Sequence, residues 1–140
     1  MGKTIREGTM GLLAVIAATV AAFAFGAVWY GLLAGPWKEA SGVALGEDGE
    51  PLNAKSPVPY VTSFVCILLV TGMMRHSFAT ADIETFSKGV LSGGGIGLFF
   101  ISPWLALTNG YNMRPMKLTM IDAGYATIGC AIAGGVLMLL

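Results

Sequence analysis

The amino-acid sequence predicts an all-α membrane protein, with four transmembrane helices arranged as two antiparallel hairpins. Three observations carry this expectation. Of the 140 residues, 55% are hydrophobic and only 11% are charged, whereas a soluble domain carries roughly 25% charged residues. The mean hydropathy is +0.73. The charges also gather in clusters, Lys3 to Glu7, Lys38 to Lys55, Arg75 to Lys88 and Arg114 to Asp122, and each cluster is followed by a stretch without Asp, Glu, Lys, Arg or His. An apolar run of about 18 residues is long enough to cross the ~30 Å hydrocarbon core of a bilayer.

Helix one is expected over about residues 9–33. Ala14, Ala18, Ala22 and Gly26 recur every four positions on one face, and small residues let membrane helices approach closely. Trp29 and Tyr30 near its end suit the headgroup boundary, where an amphipathic ring keeps its polar atom wet. Gly35-Pro36 is expected to stop the helix, with Trp37 as a second interfacial anchor. The loop that follows carries Gly46, Glu47, Asp48, Gly49, Glu50 and Pro51, which is aqueous turn chemistry, and Asp48-Gly49 suits a small hairpin.

Helix two is expected over about 59–74, entered through Pro57 and Pro59 and ended by Arg75 and His76. Residues 77–88 read as a short interfacial helix, with Phe78, Ile83 and Phe86 on one side and Asp82 and Glu84 towards water. Helix three is expected over about 89–108. Gly89, Gly93 and Gly97 lie four apart, a small-residue seam that presses against another helix. Pro103 near its end removes a backbone hydrogen bond, so a kink is expected there, and Trp104 marks the interface. The short link from Asn109 to Lys117 makes helix four, about 118–140, the antiparallel neighbour of helix three. Gly124, Gly129, Gly134 and Gly135 give helix four its own small-residue face. These helices form a single domain over 1–140.

The composition excludes several classes. A formal net charge of zero offers no basic surface for nucleic acid. Cys66 and Cys130 lie inside apolar stretches and read as packing residues, with neither a CxxC pair nor zinc spacing. No cofactor is implied. The first apolar run exceeds a signal-peptide core of ~7–15 residues, so it is expected to be retained. Lys and Arg tie between the two sides, Lys3, Arg6, Arg75 and Lys88 against Lys38, Lys55, Arg114 and Lys117, so charge sets no orientation.

An ionisable residue deep in the bilayer is kept only for use, and the helix interiors contain none. Asp122, a turn or so into helix four, comes nearest. It reads as a dipole-stabilised carboxylate paired with Arg114 or Lys117, or alternatively as an ion- or proton-binding group, so Asp122, Arg114 and Lys117 form the candidate polar site. The helix-packing candidates are Gly26, Gly89, Gly93, Gly97 and Gly129. The interfacial anchors are Trp29, Tyr30, Trp37 and Trp104. His76, the single histidine, reads as interfacial. Ser-His-Asp, GxSxG, phosphate-loop and HExxH arrangements are absent from the sequence, which argues against an enzyme.

The run from Phe25 to Lys38, with Gly26-Ala27-Val28-Trp29-Tyr30 followed by Pro36-Trp37-Lys38, resembles the end of the first helix in small bacterial membrane proteins of domain-of-unknown-function family 1761. Arg114-Pro115-Met116-Lys117-Leu118, leading into Ile121-Asp122-Ala123-Gly124, resembles that family's second signature. The resemblance spans essentially the whole chain. The loop 41–53 is longer than the resemblance leads one to expect. It implies a multi-pass protein of the bacterial inner membrane but no assigned activity.

The leading expectation is therefore a non-enzymatic membrane protein that works through helix packing in the lipid bilayer, as a homo-oligomer or as an accessory to a larger membrane complex. The small-residue faces of helices one, three and four motivate it. The alternative is a small transporter or channel.

Overall fold

The computed structural model describes the backbone of residues 2–140 and the side chains of residues 7–140. The described chain is helical, with α1 (Gly2–Leu32), α2 (Ala34–Ser41), α3 (Val58–Thr80), α4 (Phe86–Ile96), α5 (Ser102–Tyr111) and α6 (Met116–Leu139). A π-helical turn, Gly97–Ile101, joins α4 to α5 in one continuous rod. Among the described residues no β-strand forms. Four segments are long and apolar enough to cross a membrane: Glu7–Leu32, Val58–Thr80, Phe86–Tyr111 and Met116–Leu139.

The helices form an open array. α1 packs on both α3 and α6, and α6 packs on the α4–α5 rod. The small residues of α1 lie at the centre, with Ala14 and Ala18 fully buried and Ala22 nearly so. Against them sit Met74 and Phe78 of α3 and Cys130, Ala133 and Leu137 of α6. Where α1 crosses α3, the buried hydroxyls of Thr19 and Thr71 lie 2.7 Å apart. Thr19 also bonds the Val15 carbonyl, and Thr71 the carbonyls of Ile67 and Leu68.

The glycine seam of α4 faces α6. A Cβ at Gly89 would meet the carbonyl oxygen of Gly134, at Gly93 that of Cys130, and at Gly97 that of Ala126. The two backbones touch there, and a seam this close needs hydrogen at those positions.

Several boundaries differ from the expectations, each for a local reason. Gly35-Pro36 does not end the helical path. α1 breaks at Leu33, and α2 restarts with Pro36 inside its first turn, where a missing N–H costs nothing. α2 ends at Gly42, whose φ of 66° is the left-handed conformation that glycine adopts freely.

α3 runs on past Arg75 and His76 to Thr80. Arg75 stays half-buried, its guanidinium laid against Gly11, so its long side chain covers α1 as it reaches outward. The expected interfacial helix over 77–88 is instead the last turn of α3, a reversal at Asp82 with φ of 54°, and the first turn of α4. Thr85 caps that turn by accepting from the Lys88 N–H.

Pro103 acts through the π turn that precedes it. The Ser102 N–H bonds the Gly97 carbonyl, and the Ser102 hydroxyl bonds the same oxygen at 2.6 Å. Widening one turn keeps the chain helical where proline removes a donor and crowds the carbonyl four residues back. In the long loop, Leu45 and Pro51 form a single bridge around Gly49, at φ 78°, so a small hairpin closes.

Candidate functional site

The functional candidates converge where the end of α1 meets the start of α6. Trp29 and Tyr30, consecutive on α1, engage the consecutive pair Ile121 and Asp122. The Trp29 indole N–H donates to the Ile121 carbonyl at 2.9 Å. The Tyr30 hydroxyl donates to Asp122 Oδ1 at 2.7 Å. One turn further in, the Tyr125 hydroxyl donates to the Ala22 carbonyl at 3.0 Å.

Two glycines make this lock possible. A Cβ at Gly124 would lie 2.7 Å from the Trp29 ring, and one at Gly26 would lie 2.8 Å from the Tyr125 hydroxyl oxygen. The two stretches singled out in the sequence, Gly26 to Tyr30 and Ile121 to Gly124, therefore bind each other.

An aromatic cluster forms around Tyr30, the donor to the carboxylate. Tyr30 and Tyr125 meet edge to face, with ring centroids 5.4 Å apart. Phe25 stacks on Tyr125 at 6.0 Å. The restart of the chain as α2 brings Trp37 back edge-on against Tyr30, at 6.2 Å and 78°. Such pairs contribute about 0.5–1.5 kcal/mol each beyond their burial.

Between α3 and α5 the array stays open, leaving a cleft of about 530 Å³. Asp122, Tyr30 and Trp37 stand at one end. Ile67 and Val70 of α3 and Leu105 of α5 form the sides, and Ala126 and Ala133 of α6 form the floor. A second hollow of about 420 Å³, between α1 and α3, shares Tyr30, Ser63, Cys66, Ile67 and Tyr125 with the first. Both are lined chiefly by carbon.

The expected partners of Asp122 lie elsewhere. Lys117 reaches Glu39 at 3.9 Å, with both side chains well exposed, and such a pair is worth little. The Arg114 guanidinium rests against Gly42 instead. Among the described residues Asp122 forms no ion pair, and its hydrogen bond comes from Tyr30. The pairing fails because both basic residues sit at the α6 entrance. Their long side chains turn outward to the α2 end, where solvent hydrates the charge.

Gly89, Gly93 and Gly97 touch the α6 backbone, and Gly26 faces Tyr125. Gly129 makes room for the Tyr125 ring of its own helix, 3.3 Å from where a Cβ would stand. Trp104 is 69% exposed on the outside of α5. Trp29 departs from the anchor expectation, since its N–H is spent on Ile121 inside the bundle. Tyr125, outside the site residues expected from the sequence, is a hub of the cluster. Its signal was the small-residue gap it fills, opposite Gly26 and before Gly129.

Among the described residues no three His, Cys, Asp or Glu side chains gather as a metal site. The arrangement provides a lone carboxylate, held in position by Tyr30 beside an aromatic cluster, at the end of an apolar cleft.

Comparison with known proteins adds one match. A family model described as "Protein of unknown function (DUF1761)" matches residues 13–138. No curated protein and no solved structure matches the chain.

Proposed function

We propose that this chain, which belongs to the DUF1761 family, is a multi-pass membrane protein whose four long helices cross the bilayer as two antiparallel hairpins. In this reading α1 pairs with α3, and the α4–α5 rod pairs with α6. The order of contacts supports it. Gly11 meets Arg75 and Thr19 meets Thr71, so α1 and α3 run in opposite directions, and Gly89 meets Gly134 while Gly97 meets Ala126. The working role is that of a non-enzymatic accessory or self-associating membrane subunit, located in the bacterial inner membrane.

A single observation carries the subunit reading. The apolar windows of α3 and of the α4–α5 rod are only 11% buried, against 39% for α1 and α6. Those two spans flank the open cleft and have the most apolar surface to offer lipid or a neighbouring span. The small-residue seams do not supply this surface, since Ala14, Ala18, Gly93 and Gly97 are buried within the protomer.

The test is native mass spectrometry of gently solubilised protein, with disulfide cross-linking of single cysteines placed at Leu69 and Leu91 in a background where Cys66 and Cys130 are replaced by alanine. Dimers or a stoichiometric co-purifying subunit support the role. A strict monomer with no cross-link and no partner rejects it.

A second reading, a small transporter or channel, draws its support from Asp122 at the cleft. Proteoliposome flux that disappears in Asp122→Asn, with folding intact, favours it over the subunit role.

A further inference from the structure

The cleft between α3 and α5 has an unbalanced chemistry. Four hydroxyl-bearing side chains line it, Tyr30, Ser63, Thr71 and Tyr125, and each already donates its hydrogen within the protein. Tyr30 donates to Asp122, Ser63 to the Pro59 carbonyl, Thr71 to Thr19 or to a carbonyl of its own helix, and Tyr125 to Ala22. The Asp122 carboxylate, in contrast, takes one of these bonds and has acceptor capacity to spare. Among the described residues no Lys or Arg pairs with it. An ionised carboxyl in apolar surroundings is costly unless a cation or donors meet it. The cleft therefore offers negative charge and unfilled acceptor positions at one end, beside the aromatic side chains of Tyr30, Tyr125 and Trp37 that line it.

We propose that this cleft is a binding site for a single-chain lipophilic amine, with its ammonium group against Asp122 and its chain along the groove towards Ala133. The dimensions fit. A cleft of about 530 Å³ falls in the range that holds small molecules, roughly 300–1,000 Å³. From Asp122 to Ala133 the floor runs roughly 16 Å, at 1.5 Å rise per helical residue, past Ala126 and Gly129, whose small size keeps it open. The carboxylate selects against a fatty acid by charge repulsion. It also disfavours an aminophospholipid, whose phosphate would come close to it. The proposal goes beyond the subunit and transport readings, because binding requires neither a partner nor flux.

The test uses full-length protein in dodecyl maltoside, with dodecylamine as the probe and dodecanol and dodecanoate as chain-matched controls. Thermal unfolding is followed by circular dichroism. Dodecylamine is expected to raise Tm saturably, as a ligand of the native state does, and the two controls are not. Asp122→Asn is expected to weaken the effect roughly tenfold or more, while Asp122→Glu retains most of it.

Cys66→Phe, at an exposed position on the wall of the cleft, gives an independent arm by filling the groove without disturbing the Tyr30–Asp122 contact. It is expected to abolish the shift with the helical spectrum unchanged. Equal responses to amine and alcohol, or an unchanged response in both Asp122→Asn and Cys66→Phe, overturn the proposal. So does native mass spectrometry showing a phosphatidylethanolamine retained in an Asp122-dependent way in place of the amine. The subunit reading is read out separately by stoichiometry, so the two can fail independently.

Discussion

The Tyr30 hydroxyl donates to the Asp122 carboxylate at 2.7 Å, across 92 positions of sequence. This bond and its neighbour from Trp29 to Ile121 tie the end of the first long helix to the start of the last. They place an acidic group at the end of an apolar cleft instead of in a surface ion pair. A hydrogen bond to a charged group contributes about 1.5–3 kcal/mol in water-soluble proteins, and membrane measurements run lower.

Tyr30→Phe is expected to destabilise the protein by about 1–2 kcal/mol, since it deletes the donor and keeps the ring packing. The Asp122→Asn change on the Tyr30→Phe background is expected to cost less than on the wild-type background. A double-mutant cycle by denaturant titration in micelles reads the coupling. Strict additivity of the two changes contradicts the contact.

The glycines divide sharply by position. Gly93→Ala sets a methyl group against the Cys130 carbonyl, and neither backbone can yield without separating α4 from α6, so a loss of about 1–3 kcal/mol is expected. Gly95→Ala meets nothing within 4 Å and is expected to stay within about 0.5 kcal/mol of wild type. Thermal stability of the two variants side by side checks the seam. Equal effects would place the α4–α6 contact on another face.

The Thr19–Thr71 pair is predicted to matter less than its burial suggests. Each hydroxyl also lies within bonding distance of a carbonyl of its own helix, Thr19 at 2.7 Å from Val15 and Thr71 at 3.0 Å from Ile67, so one hydrogen joins the pair and the other stays within a helix. Thr71→Val therefore leaves Thr19 satisfied, and a loss of about 0.6 kcal/mol is expected, the usual value for an interhelical hydroxyl bond in membranes. A loss several times larger, measured by unfolding in mixed micelles, shows that the pair does more than join two helices.

The cysteines provide a labelling test of the cleft. Cys66 is exposed on its wall and Cys130 is buried beneath. In native detergent a membrane-permeant maleimide is expected to modify Cys66 and spare Cys130, with both reacting after denaturation. Mass spectrometry of the labelled chain decides the point. Rapid native labelling of Cys130 would mean that α6 is more open than described.

Much of the site was legible in pieces. The recurrence of Gly89, Gly93 and Gly97 told which face of the third span is pressed tight, because a close approach leaves a sequence period that survives without knowledge of the partner. Trp29, Tyr30 and Asp122 were each singled out, but as boundary residues with separate roles. Sequence spacing relates positions within one helix. It holds nothing about which side chain of a distant helix completes a hydrogen bond, so Arg114 and Lys117, near in sequence, were the expected partners of Asp122.

The charge pattern and hydropathy alone determined the four long apolar helices and their approximate limits, since turn-level preferences and the absence of charge are local properties of the chain. The tertiary structure decided the rest. The restart of α2 brings Trp37 over Tyr30, the π turn absorbs Pro103, and α1 lies between α3 and α6 so that a cleft opens beside α5. These outcomes depend on how side chains of different helices interlock, and that packing is non-local. The lone carboxylate at the end of an apolar groove is thus a product of the assembled fold, written in no single stretch of the sequence.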